Sequence, residues 1–459
     1  MTKKLTEGNP AKLILVFTIP LLIGNIFQQF YSMADTFIVG RTIGVQALAA
    51  VGCTGSISFL ILGFVMGVSS GLAIVAAQRF GARDEAGLRK SVATSVLVAF
   101  IVSVIVTAVS VPFAMNILRL MHTPQEIIQG AYDYIVIILA ATGINMMFNL
   151  LANIIRALGD SKTPLIFLII ACIINIVLDY VFILEIGMGV KGAAWATVIA
   201  QTVSALMCLW YIKKKLPVLH LKKEDWKVTG RDVAQHVRVA IPMGLQMSII
   251  AIGAVVVQYV LNGLGHIAVA AYTAAGKIDQ IAVQPMMSFG TTMATYTAQN
   301  YGAGRIDRIK KGVLQCVLIS GGFSILIGLV NILAGYQLTG LFLGRGAEDV
   351  QRYAQTYLHI SGSLYLFLSL LLILRLTLQG LGQSMVPTIS GFMELIMRVF
   401  AATYLGGIMG FTGVCWSSPL AWIGAFIPLA AAYIVTMRRL TKKMTPMEES
   451  SYKKCATLL

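Results

Sequence analysis

Residues 13–39 read LILVFTIPLLIGNIFQQFYSMADTFIV, a run of 27 residues in which Asp35 is the only charged side chain, bounded by Lys12 and Arg41. A helix rises ~1.5 Å per residue, so about 20 apolar residues cross the hydrocarbon core of a bilayer. This run is long enough to do so. A carboxylate inside such a span is costly, and residues of that kind face a protein interior or cavity and carry ion or proton traffic.

The rest of the chain repeats the pattern. Of 459 residues, 57% are hydrophobic and 12% charged, and the mean hydropathy is +0.82. A soluble chain carries about a quarter charged residues. Twelve spans are predicted, at roughly 13–39, 46–77, 91–115, 133–155, 164–185, 192–212, 238–263, 267–298, 313–336, 356–380, 386–406 and 413–437. The fold class is therefore an all-α membrane protein. Pro20, Pro285 and Pro428 lie inside spans and are expected to kink them. Lys3 and Lys4 precede a first run too long for a cleavable signal peptide, with no small-residue cleavage site after it.

The net charge is +16, and its distribution points to membrane orientation rather than nucleic acid. With both termini cytoplasmic, 27 of the 35 Lys and Arg residues fall in inner segments, including eight between Lys213 and Arg238. Arg41, Arg119, Lys191, Arg345 and Arg352 fall outside, and Lys277, Arg375 and Arg398 fall within spans. No compact basic domain is present. The six cysteines (Cys53, Cys172, Cys208, Cys316, Cys415, Cys455) show neither paired metal spacing nor a disulfide framework, and read as small apolar packing residues.

The second half repeats the first at an offset of about 221 residues. Ile19-Pro20 matches Ile241-Pro242, and Ala77-Gln78-Arg79-Phe80-Gly81-Ala82 matches Ala298-Gln299-Asn300-Tyr301-Gly302-Ala303. Leu158-Gly159-Asp160-Ser161 matches Leu381-Gly382-Gln383-Ser384, and Gly192 and Trp195 match Gly413 and Trp416. Six spans per half give both halves the same orientation, with a substrate path between them. The expected units are a six-helix lobe at 1–212, a cytoplasmic linker at 213–237, a second six-helix lobe at 238–437 and a cytoplasmic tail at 438–459.

Among nineteen acidic residues, only Asp35, Asp179, Asp279 and Glu394 lie well inside spans. Asp35 is 15 residues beyond Pro20 and Asp179 is 15 beyond Pro164, on spans that run the same way, so both fall in the outer half of the membrane. Asn175 precedes Asp179 by four residues and shares its helix face. Thr197 reaches a similar depth from the other direction. Together these four offer hard oxygen donors for a cation such as Na⁺. The same carboxylates could take protons instead, because burial and mutual repulsion disfavour the charged form. For Asn175 and Thr197, plain helix-to-helix hydrogen bonding explains their types equally well.

In the second half, Glu394 and Arg398 are four apart and form an expected ion pair. Lys277 and Asp279 point to different sides, and Gln280 adds to a possible polar network with them; a structural role and a transport role are both open. Met66, Met146, Met147, Met243, Met247, Met286, Met287 and Met293 could supply an adaptable apolar lining, although methionine in an apolar helix more often packs. No histidine lies beside a carboxylate deep in a span, and no Walker-type phosphate loop or nucleophile elbow occurs. The chain does not read as an enzyme or as directly ATP-driven.

The first span from Pro20 to Asp35, the Ala-Gln-Arg-Phe-Gly-Ala and Ala-Gln-Asn-Tyr-Gly-Ala span ends, and Arg156-Ala157-Leu158-Gly159-Asp160 resemble the multidrug and toxic compound extrusion (MATE) family, in order and across nearly the whole chain. That resemblance implies two pseudo-symmetric six-helix bundles in a V shape. It implies export of organic cations and other amphipathic drugs against inward Na⁺ or H⁺, with no other cofactor. Its first-lobe cation site looks like Asp35, Asn175, Asp179 and Thr197. One branch carries carboxylates on helices seven and ten, where Ile241–Leu264 and Ser361–Gly380 have none here, so the resemblance favours first-lobe coupling of the bacterial and archaeal type. The expected setting is a bacterial inner membrane, with small-molecule drugs and lipid as partners, no nucleic acid, and a monomer. Other readings are a lipid-linked oligosaccharide flippase, and, in a different class, a passive channel or membrane scaffold. Twelve spans with only Lys277, Arg375 and Arg398 as cations in them argue against the flippase, and the costly buried acids against the channel or scaffold.

Overall fold

Asn9 caps the first helix by accepting from the Lys12 N–H at 3.3 Å, and Pro10 occupies the first turn, where a missing N–H is no loss. From there the chain is almost wholly helical. The computed structural model describes residues 4–121, 123–340 and 348–456, with the side chains of 32, 36 and 443–456 outside that description. Lys3, His122 and Arg345 lie outside the described residues, as do the side chains of Lys443, Lys453, Lys454 and Cys455. No strand occurs among the described residues.

The described helices assemble into twelve rods. These are α1 (Pro10–Thr42), α2 (Val45–Gly81), α3 (Glu85–Leu120), α4 (Gln125–Ala140 with Thr142–Ala157), α5 (Lys162–Glu185) and α6 (Val190–Lys215). The second set is α7 (Gly230–Gly263), α8 (His266–Gly302), α9 (Ile306–Gly340), α10 (Glu348–Ser363 with Tyr365–Gly380), α11 (Met385–Met409) and α12 (from Phe411 through Lys442). Nine are long and apolar enough to cross a membrane, and eleven if each bent pair counts as one span. The twelfth, α8, has the length, but Lys277, Asp279, Gln280, Gln284, Ser288, Thr291 and Thr292 make it more polar. Rods α1–α6 pack as one bundle and α7–α12 as a second, with matching neighbours: α1 lies on α5 as α7 lies on α11, and α2 lies on α4 as α8 lies on α10.

The irregular points repeat along with the rods. Left-handed glycines occur as Gly44 and Gly265, Gly159 and Gly382, Gly189 and Gly410. Arg83, with φ 58°, stands where the second half has Gly304, with φ 69°. Single π turns sit at Val181–Glu185 and Ala401–Leu405. Both bent rods, α4 and α10, turn by 49° at the matched residues Ala141 and Leu364. The helices run unbroken through Pro20 and Pro285, and the sharp bends fall at residues that are not proline. At one of them Thr142 Oγ1 donates to the Leu139 carbonyl at 2.6 Å, satisfying a group that the break frees.

We call the side bearing Pro10 and the α12 tail proximal, and the other side distal. The two bundles meet through α1, α2, α7 and α8. Small residues let α2 and α7 approach closely: a Cβ added at Gly67 would lie 2.5 Å from the Met243 carbonyl, and one at Gly71 2.5 Å from the Ala240 Cα. Thr18 and Thr292 hydroxyls bond at 2.7 Å, and Asn25 Nδ2 donates to Ser288 Oγ at 3.1 Å. At the proximal end the repeated motifs cross. Gln78 Nε2 donates to the Gly380 carbonyl at 2.8 Å, and its counterpart Gln299 donates to the Ala157 carbonyl at 2.7 Å. A Cβ at Gly81 would run into the Gln299 carbonyl, and one at Gly302 into the Gln78 carbonyl.

The segment before α1 reinforces this crossing. Leu5 is 2% exposed and packs into the core of the second bundle. Its N–H donates to Gln299 Oε1 at 2.9 Å, and its carbonyl accepts from Asn300 Nδ2 at 3.2 Å. Arg308 holds the Gly8 carbonyl through Nη1 at 2.9 Å. Among the described residues, hydrogen bonds between the bundles extend no further distally than Ser248 Oγ to the Leu60 carbonyl, at 3.3 Å. Beyond that point α8 exposes Lys277 and Ile281 on the face that carries Ser288, and α1 exposes Gln28 beside its Asn25 face. The bundles are joined proximally and part distally, leaving a cleft.

Candidate functional site

Asp35 stands in the distal half of α1, Asn175 and Asp179 one helical turn apart on α5, and Thr197 two turns into α6. The structure brings all four together inside the first bundle. The Asp35 and Asp179 carboxyls lie within hydrogen-bonding reach of each other. Asn175 and Asp179 are fully buried. With its amide oriented to satisfy both neighbours, Asn175 donates to Asp179 Oδ2 at 3.1 Å and accepts from the Thr197 N–H at 3.1 Å. Asp35 Oδ1 and Asp179 Oδ1 are both buried with no partner.

Tyr31 completes the wall, its hydroxyl 3.1 Å from Thr197 Oγ1, and Tyr134 stands close enough to interact electrostatically with both acids. Neither tyrosine was singled out in the sequence. Tyr31 had a usable signal, since it precedes Asp35 by four residues and so shares its face. Two carboxylates side by side repel strongly in a low-dielectric interior unless a cation or a proton sits between them. The donors are hard oxygens, suited to a proton or an alkali cation. No group of three or more His, Cys, Asp or Glu residues able to hold a metal occurs among the described residues.

At offsets of 221 to 223 residues, Asp35 matches Val256, Val257 or Gln258 and Asp179 matches Phe400, Ala401 or Ala402, so the acidic pair is not duplicated. That bundle has charges of its own, and they do not form the single polar network expected. Glu394 is clamped between Arg375 Nη2 at 2.7 Å and Arg398 Nη2 at 3.1 Å; Glu394 and Arg375 are buried and the Arg398 side chain is 12% exposed. The Glu394–Arg398 pair was legible from its spacing, whereas Arg375 comes from another rod. Asp279 accepts from the Tyr365 hydroxyl at 2.6 Å, and Asn331 Nδ2 bonds the same hydroxyl at 2.9 Å. Lys277 and Gln280 belong to neither group and are exposed on α8. Met146, Met243, Met286 and Met293 are core residues, while Met66 is 42% exposed.

The arrangement is thus a buried acidic site in one bundle, a clamped ionic core in the other, and a cleft between them. A MatE family profile matches residues 20–181 and again 242–405, once in each bundle. The chain belongs to the MatE family. It is 28% identical over 400 residues to the probable multidrug resistance protein YoeA of Bacillus subtilis, covering 85% of each chain. With the probable multidrug resistance protein YpnP of the same organism it shares 31% over 313 residues, covering 66% of this chain and 68% of that one. The multidrug export protein MepA of Staphylococcus haemolyticus is 23% identical, over 96% of this chain and 97% of its own.

Solved MATE structures share the fold. One described as an outward-facing multidrug resistance MATE transporter superposes with a TM-score of 0.89 at 24% identity, covering 95% of this chain and 98% of that one. A MATE structure in complex with MaL6 gives 0.88 at 23% identity, covering 96% and 100%. As a MatE member the chain is a multi-pass membrane transporter of the multidrug-efflux type.

Proposed function

We propose that the chain is a secondary active antiporter, in which Na⁺ or H⁺ bound at Asp35 and Asp179 drives export of amphipathic small molecules through the cleft. The observation that carries this reading is the pair of buried carboxyls, one on each of two rods, with an unpartnered oxygen on each. Such a pair binds a monovalent cation or proton readily and holds it beside α1, one of the rods that bridges the bundles. Asn175 and Thr197 orient the pair and supply the remaining oxygens. An ion drives the cycle only if it binds the two conformations unequally, and a site that spans α1 and α5 changes shape whenever α1 moves. The 27 to 5 bias of basic residues supports a cytoplasmic proximal side in a bacterial cell membrane, so the cleft faces outward. The same reading takes the two bundles as the moving bodies.

Purified protein in liposomes, loaded with a fluorescent drug and given an imposed Na⁺ or H⁺ gradient, tests the coupling. Asp35→Asn and Asp179→Asn are expected to abolish gradient-driven movement while leaving membrane insertion intact. Gradient-driven movement at the wild-type rate in Asp35→Asn overturns the assignment.

A further inference from the structure

We infer that the cleft takes an amphiphile bearing an anionic group, a carboxylate, sulfonate or phosphate, with Lys277 as its counter-ion. The inference rests on the transport reading above and names its substrate class.

Seven charged side chains were read inside the spans: four acids and three bases. Six are committed within a bundle. Asp35 and Asp179 face each other in the first bundle. In the second, Arg375 and Arg398 both bind Glu394, and Asp279 is held by Tyr365. Lys277 is the seventh. It is exposed, and among the described residues it makes no ion pair.

Its direction follows from the helix. Lys277, Ile281, Gln284, Ser288 and Thr292 recur every three to four residues and lie on one face of α8. The two proximal members of that stripe touch α1, Thr292 through Thr18 and Ser288 through Asn25. Lys277 is eleven residues, about three turns, distal to Ser288 and so points the same way. At that level the bundles have parted. Its ammonium therefore looks across the cleft toward α1, above Gln284 and the 57% exposed Ile281. An apolar residue, a neutral amide and one cation are what an anionic amphiphile needs from a wall. The acids that would attract an organic cation are turned into the bundles.

This departs from the organic-cation substrate that the sequence resemblance implies. It also separates the two charges of the cycle: the driving cation binds behind α1, and the cargo's anion binds in front of it. A charge-assisted contact at a partly hydrated wall is worth about tenfold in affinity, or ~1.4 kcal/mol.

The test uses the full chain in lipid nanodiscs and three fluorescent probes with one common apolar body, ending in a sulfonate, a neutral amide or a quaternary ammonium. Equilibrium binding by fluorescence anisotropy is expected to favour the sulfonate over the ammonium by about tenfold. Lys277→Gln is expected to erase that preference, Lys277→Glu to reverse it and Lys277→Arg to keep it, with the neutral probe unchanged throughout. Preference for the ammonium probe in the wild type, or a sulfonate preference that survives Lys277→Glu, overturns the inference. Gradient-driven movement in liposomes is read separately. Failure of every probe to respond to either gradient would overturn antiport, while the binding ratios would still decide the role of Lys277.

Discussion

Gln299→Leu removes a side-chain amide from the proximal crossing while keeping its bulk. Two buried hydrogen bonds disappear, one from Gln299 Nε2 to the Ala157 carbonyl at 2.7 Å and one from the Leu5 N–H to Gln299 Oε1 at 2.9 Å. Only the first joins the two bundles and is made only while the proximal side is closed; Leu5 packs in the second bundle and stays beside Gln299 when the bundles part. Its loss leaves the Ala157 carbonyl without a partner, at a cost of about 1–3 kcal/mol. The closed arrangement thus loses on the order of 1–3 kcal/mol relative to one in which the crossing opens and water satisfies that carbonyl, a shift of at least roughly fivefold. Gln78→Leu removes the matching bond, to the Gly380 carbonyl at 2.8 Å, and should shift the balance by a similar free energy.

Distances between spin labels at Lys162 and Lys310 read this directly, since both are exposed at the proximal ends of different bundles. Measured by pulsed electron resonance in a cysteine-free background, wild type should show a short separation. Gln299→Leu should add a longer one, and the double variant should populate it most. Unchanged distance distributions in all three variants would refute the view that these glutamines hold the proximal side closed. A shift confined to one of the two single variants would refute the magnitudes.

Two further predictions concern stability. Glu394→Gln leaves the buried Arg375 and the partly buried Arg398 without a counter-charge, and breaking a buried ionic group in this way costs about 3–5 kcal/mol. Its melting temperature should fall well below wild type, and Glu394→Gln with Arg375→Met should recover part of the loss; equal melting of Glu394→Gln and wild type would contradict the clamp. Gly302→Ala drives a methyl group into the Gln78 carbonyl, which is backbone and cannot swing aside, so it should cost about 1–3 kcal/mol or more. In the spin-label assay it should favour the separated proximal ends, and an unaltered distance in a folded Gly302→Ala protein would count against the tight crossing.

Much of this architecture was legible because a bilayer imposes strict length and polarity on every span. The twelve rods, the duplication and the grouping of Asp35, Asn175, Asp179 and Thr197 follow from run length, motif order and depth along a helix. What escaped were partners set by three-dimensional packing. Nothing in the sequence spacing ties Arg375 to Glu394, or Tyr365 to Asp279, because those pairs join different rods. The bends at Ala141 and Leu364 carry no proline, so local chemistry did not announce them. Gln78 and Gln299 were visible as repeated letters in a motif, but their bonds reach across the duplication, each to the half it does not belong to.

Leu5 belongs to the first half by sequence and to the second by packing. A transporter severed in the linker around residues 216–229 would therefore not yield two self-sufficient pieces. The second fragment would keep a vacant leucine-sized socket, and its Arg308 would lack the Gly8 carbonyl it holds in the intact chain. The two copies have become obligate partners, and the ancestral duplication cannot be undone by simply cutting it.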